Sequence, residues 1–188
     1  MKKILFSPWT KRALFALCLI PALLLIWRGF MGDLSANPIE FIEHKTGDWA
    51  LRFLLITLAV TPLRKIFEQP LLTRFRRMLG LFAFFYATLH FSTWLVVDKF
   101  FDWPEILADF TKRRFIIMGL IAFSSMIPLA ITSTKGWIRR LGKRWTRLHR
   151  LVYLTAVAAV IHYLWLVKSD LRQPLLYGSL VFILLLYR

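Results

Sequence analysis

An all-α, polytopic membrane helix bundle is the fold class this sequence predicts, and three observations predict it. Of its 188 residues, 58% are hydrophobic and only 19% charged, a balance that excludes a disordered chain and an ordinary soluble domain. The apolar residues gather into six runs, each near the ~20 residues a helix needs to cross a hydrocarbon core of about 30 Å. The formal charge of +16 falls between those runs, where basic residues set topology. The lipid bilayer is therefore the expected partner, and nucleic acid is not. Cys18 is the only cysteine and lies in an apolar run, which excludes disulfides, CxxCH haem attachment and thiolate-ligated iron–sulfur clusters. Any redox chemistry falls to histidine.

Taken in order, the first run covers residues 11–30. It follows Met1-Lys2-Lys3 and reaches Arg28 without a small-residue cleavage site, so an uncleaved span is expected rather than a signal peptide. The second, 49–63, is short and must recruit flanking residues or sit in thinned bilayer. The third, 78–97, carries Gly80 and His90. The longest outer loop follows, from Asp98 to Arg114, and Pro104 in Trp103-Pro104-Glu105 suits the first turn of a short interfacial helix. The fourth run is 115–132, the fifth 148–167, and the sixth, 174–187, is again short. No repeat or low-complexity tract appears, and residues 1–188 read as a single six-span domain.

Orientation comes from sorting charges by side. The N-terminus, the loop near 64–77, the stretch from Lys135 to Arg150, and Arg188 hold 17 of the 26 Lys and Arg residues, with Glu68 as their only acid. The other side balances nine basic residues against nine acids. The positive-inside rule makes the basic side cytoplasmic and predicts N-in and C-in termini, in keeping with an even span count.

No Asp or Glu falls well inside a span, which argues against carboxylate proton pumps and metal carboxylate clusters. Three of the four histidines do: His90 in the third run, and His149 and His162 in the fifth. Intramembrane ionisable groups are costly, and default to function. Counted outward from Met78 and Leu148 at 1.5 Å per residue, His90 lies roughly 18 Å and His162 roughly 20 Å along their helices. Two imidazoles at one depth on two helices suit the axial positions of one low-spin haem. His149 lies about 20 Å nearer the cytoplasm and turned about 140° from His162, as a second cofactor approached from another side of the helix would require. Arg74, Arg76 and Arg77 stand at the inner end of the third span. They serve there as topological anchors or as partners for haem propionates or a flavin phosphate, and Lys143 and Arg144 offer the same charge beside His149. Gly80 and Gly119 either admit a flat macrocycle or allow close helix packing. His44 lies in an outer loop, too shallow to pair with His149, and the aromatics around His90 (Phe84, Phe85, Tyr86, Phe91, Trp94) read as core or lipid-facing. The histidines alone leave two classes open: an electron conduit through haem, or a small transporter or proton channel with a histidine relay.

Several stretches carry a resemblance: His44-Lys-Thr-Gly-Asp-Trp-Ala-Leu, Thr61-Pro-Leu-Arg64, Arg76-Arg-Met-Leu-Gly-Leu81 with Leu89-His90, Leu141-Gly-Lys-Arg-Trp-Thr-Arg-Leu-His149-Arg-Leu-Val-Tyr153, and Ile161-His-Tyr-Leu-Trp165. In their order and spacing the chain resembles the ferric-reductase-like transmembrane family, six-helix haem b proteins that pass electrons across membranes. The resemblance implies haem b, one group or two, with His90, His162 and His149 as iron ligands, and FMN. It implies an electron-transfer subunit of the bacterial inner membrane rather than a stand-alone enzyme. Quinol or a cytoplasmic flavin reductase would be its donor, and a periplasmic molybdopterin enzyme that repairs oxidised methionine its acceptor. Relatives with two clear haem sites carry two histidines on each of two helices, whereas arginines stand here at the inner end of the third span. For the acceptor, the loop from Asp98 to Arg114 is the expected docking surface, with Lys112, Arg113 and Arg114 as its cations.

Overall fold

Side-chain caps open four of the described helices, and prolines stand at the start of three of those. The computed structural model describes residues 7–187; Lys2, Lys3 and Arg188, counted in the charge argument, lie outside them. The Ser7 hydroxyl accepts the Trp9 amide and opens α1, Pro8–Phe30. The Asn37 side-chain oxygen accepts the Glu40 backbone amide, and the Asn37 side-chain Nδ2 donates to the Glu40 carboxylate at 3.0 Å, a cap that starts α2, Pro38–Ile66. A 3₁₀ turn, Pro70–Leu72, leads into α3, Thr73–Ser92, which continues as a π-helical turn, Thr93–Asp98. Asp102 caps α4, Trp103–Lys112. Then come α5, Arg114–Ile131, two short helices, α6 (Lys135–Leu141) and α7 (Lys143–Leu148), and the apolar α8 (Leu151–Leu166) and α9 (Arg172–Leu186). No strand occurs among the described residues.

Among the described residues, four segments are long and apolar enough to cross a membrane: Trp9–Phe30, Pro70–Asp98, Arg114–Ile131 and Lys143–Leu166. The other two expected spans differ from that description in opposite ways. Helix α2 has 29 residues, about 44 Å at 1.5 Å per residue, but carries charge at both ends, from Glu40 to Arg52 and at Arg64 and Lys65. Helix α9 has 15 residues, about 22 Å by the same rise. Along α1, Leu17, Ile20, Leu23, Leu24, Ile26 and Trp27 are all exposed. An outer surface as apolar as this is stable against lipid and not against water.

The chain forms two compact units, one ending at Asp98 and the other beginning at Lys99. In the first, α2 packs along α3 and α1 leans on α3. Lipid tails are as apolar as leucine, so fit and hydrogen bonds hold the helices together. Phe53 of α2 stacks on Tyr86 at 5.3 Å and lies 5.7 Å from Phe82, and Gly80 faces Thr57. In the second unit, α5 packs along α8, with the hydroxyls of Ser125 and Thr155 2.6 Å apart in a buried contact. Helix α9 closes on α8 where Gly178 faces Val160. The turn before α4 holds Phe100 and Phe101 at positive φ, +46° and +59°, a left-handed conformation that costs a bulky residue energy. Lys99 compensates from one side of this turn: its buried ammonium lies 3.1 Å from Asp109 and also binds the Glu105 carboxylate. The short helix expected at Trp103-Pro104-Glu105 is present, as α4.

Candidate functional site: two histidine seats

His90 lies near the C-terminal end of α3, and its neighbour across the helix pair is the N-terminal half of α2. The imidazole Nδ1 is 2.9 Å from the backbone carbonyl of Glu43. A carbonyl only accepts, so Nδ1 carries the proton and the ring's lone pair is on Nε2. The ring rests on Gly47, one helical turn beyond that carbonyl, where a Cβ atom would stand 3.3 Å from both Nδ1 and Cε1.

His162, near the C-terminal end of α8, repeats this arrangement in the second unit. Its Nδ1 donates to the carbonyl of Phe115 at 2.7 Å, and its ring rests on Gly119, where a Cβ would stand 2.9 Å from Nδ1 and 3.0 Å from Cε1. The Phe115 ring meets the imidazole edge-on at 5.8 Å. In each unit the carbonyl precedes its histidine by 47 positions, and the glycine follows the carbonyl by four. No repeat in the sequence marks Gly47 or the two carbonyls. The signal was a shared Gly-to-His spacing, carried by so few letters that it does not stand out. For Gly119, the space serves the histidine ring; Gly80 faces Thr57 and no histidine.

His149 is held differently. It caps the short helix α7, and its Nε2 is 3.1 Å from the Thr132 hydroxyl. That hydroxyl donates to the Pro128 carbonyl at 2.6 Å, so it accepts from His149, whose proton is on Nε2 and whose lone pair is on Nδ1. Trp145 stacks on the imidazole at 3.8 Å and donates from Nε1 to the Thr132 carbonyl. Lys143 and Arg144 are exposed on the same short helix, while Arg76 and Arg77 lie in the first turn of α3, half-buried and exposed respectively. His44 lies on an exposed face of α2, 4.0 Å from Glu40. Of the loop cations, Arg113 pairs with Asp109 at 3.3 Å, and Lys112 and Arg114 are exposed. Among the described residues, no three His, Cys, Asp or Glu side chains gather as a metal cluster.

Each seat taken by itself suits a haem-ligating histidine: Nδ1 is bonded to a backbone carbonyl, the kind of second partner that orients metal-ligating histidines in general. Sequence comparison identifies the family. Residues 46–160 match the model of the family described as ferric reductase like transmembrane component. The chain belongs to that family of membrane proteins. Within it, the chain is similar to proteins named protein-methionine-sulfoxide reductase heme-binding subunit MsrQ. It is 51% identical to the one from Xanthomonas euvesicatoria over 87% of this chain and 75% of the relative. For Caulobacter vibrioides the figures are 48%, 91% and 82%, and for Herminiimonas arsenicoxydans 53%, 95% and 83%. No solved structure matches the chain.

Proposed function

We propose that this protein is a haem-binding membrane subunit of a protein-methionine-sulfoxide reductase system, carrying electrons across the bacterial inner membrane. The observation that carries the reading is the pair of equivalent seats at His90 and His162, each with Nδ1 on a backbone carbonyl and its ring on a glycine; in this reading Nε2 is the nitrogen that ligates a haem b iron. Haem b, when bound, supplies a one-electron carrier. The chain's own part is to hold the two imidazoles in one tautomer, to keep the surrounding helices apolar, and to span the bilayer with six segments, α2 and α9 included, in the N-in and C-in orientation that the charge distribution favours. A proton relay is disfavoured by the same geometry, because each Nδ1 proton ends on an amide carbonyl, which passes no proton on.

By resemblance, the donor is quinol or a cytoplasmic flavin reductase, and the acceptor is the periplasmic molybdopterin subunit MsrP. FMN enters on the same ground. Arg76, Arg77, Lys143 and Arg144 supply cations for haem propionates or for its phosphate, and His149, through Nδ1, is the proposed ligand or neighbour of a cofactor on the cytoplasmic side. The direct test is a reduced-minus-oxidised spectrum with a pyridine haemochrome assay on the purified protein. His90→Ala and His162→Ala should each lose the low-spin bis-histidine signature; a wild-type spectrum in both would overturn the assignment.

A further inference from the structure

In an α-helix each Cα–Cβ bond tilts toward the N-terminus, so the side chain at position i+4 covers the carbonyl at position i. A glycine at i+4 uncovers that oxygen, whose second lone pair is then open to a donor from a neighbouring helix. Gly47 does this for Glu43 and Gly119 does it for Phe115, and the group that arrives in each case is a histidine Nδ1. The two seats lie in different units and are built from different helix pairs, yet share one spacing. That coincidence separates them from ordinary small-residue packing, of which Gly178 against Val160 is an example in the same molecule.

We propose that Gly47 and Gly119 are positioning residues for the two ligating histidines: each sets the plane of an imidazole and secures the Nδ1–H···O=C bond that raises the basicity of Nε2. This rests on the reading of His90 and His162 as haem ligands. A histidine made more basic by such a bond donates more electron density to iron and favours the oxidised metal. The glycines therefore act on the redox potential and the ring orientation, while the histidines determine whether the iron is held at all. The seats are graded. A methyl on Gly119 would lie 2.9 Å from His162 Nδ1, where the ring must move, and one on Gly47 would lie 3.3 Å from His90 Nδ1, where a few tenths of an ångström suffice.

The test compares Gly119→Ala, Gly47→Ala and Gly178→Ala in the full-length, haem-loaded protein. Gly178→Ala is the steric control, because its methyl would meet Val160 at 3.3 Å and touches no histidine seat. Expected are a rise in midpoint potential and an altered low-spin gmax by electron paramagnetic resonance for Gly119→Ala, a smaller change in the same direction for Gly47→Ala, and wild-type values for Gly178→Ala. If Gly119→Ala fails to assemble, Gly47→Ala carries the same comparison. Histidine-labelled wild-type protein adds a measurement free of mutation, since hyperfine spectroscopy should find a hydrogen-bonded proton on the remote nitrogen of each ligand. Glycine variants whose potential and gmax match the Gly178→Ala control would overturn the proposal, even with the histidine variants losing the signature as expected. Persistence of the signature in His90→Ala and His162→Ala would instead overturn the haem reading beneath it.

Discussion

Pro21 withdraws an amide from the middle of α1, and Tyr86 on α3 bonds to the same turn. The buried Tyr86 hydroxyl accepts from the Ala22 amide at 3.0 Å and donates to the Cys18 carbonyl at 2.8 Å, so it bridges an i, i+4 pair of the helix ladder. Tyr86→Phe keeps the ring stacking and removes both bonds. It should cost about 1–3 kcal/mol, the penalty for leaving buried polar groups unsatisfied; thermal unfolding in detergent, followed by circular dichroism, reads it, and an unchanged transition would contradict the bridge. The histidines divide in the same concrete way. His90 and His162 stand out in the sequence by residue type and depth, and Gly119 as a small residue in an apolar run, whereas the pairing of each ring with its glycine does not, because a contact between residues more than forty positions apart leaves no local pattern. His149→Ala should lower flavin or haem content, or slow reduction by a cytoplasmic donor. If all three stay at wild-type values, the Thr132–Trp145 contacts are its whole role.

At the scale of elements, α2 departs furthest from the expected span. Hydropathy isolates 49–63, but Asn37-Pro38 is a start signal of the usual kind, and the helix begins there. The extra turns matter, since Glu43 and Gly47 lie in them; a reader who weighed capping before hydropathy would have included both. Helix α4 was foreseen from Pro104, while the burial of Lys99 with Asp109 was not, because nothing in a surface-loop sequence marks which lysine turns inward. Lys112, which ends α4, and Arg113 and Arg114 after it are the cations proposed to dock a periplasmic acceptor. Neutralising Lys112, Arg113 and Arg114 together should slow haem reoxidation by that acceptor, most at low ionic strength, with the haem spectrum intact. Because Arg113 also pairs with Asp109, the Lys112→Ala/Arg114→Ala double variant should retain most of the effect. A rate independent of all three side chains across ionic strengths would exclude this loop.

For the whole molecule, the charge asymmetry leads to a topology test. Alkaline phosphatase joined after Asp98 should be active and the same enzyme at the C-terminus inactive, with a fluorescent protein at the C-terminus giving the complementary result. The reverse pattern would refute the N-in and C-in arrangement. Apolar runs, the side-to-side charge imbalance and the membrane histidines were all present in the sequence, because hydropathy, charge and ligand type are properties of single residues and short windows. Only the tertiary structure decided which ring nitrogen of each histidine is hydrogen-bonded and which glycines receive the rings of His90 and His162. Those features depend on backbone carbonyls that every residue possesses and on the approach of helices distant in sequence, so no letter of the sequence encodes them until the helices are packed.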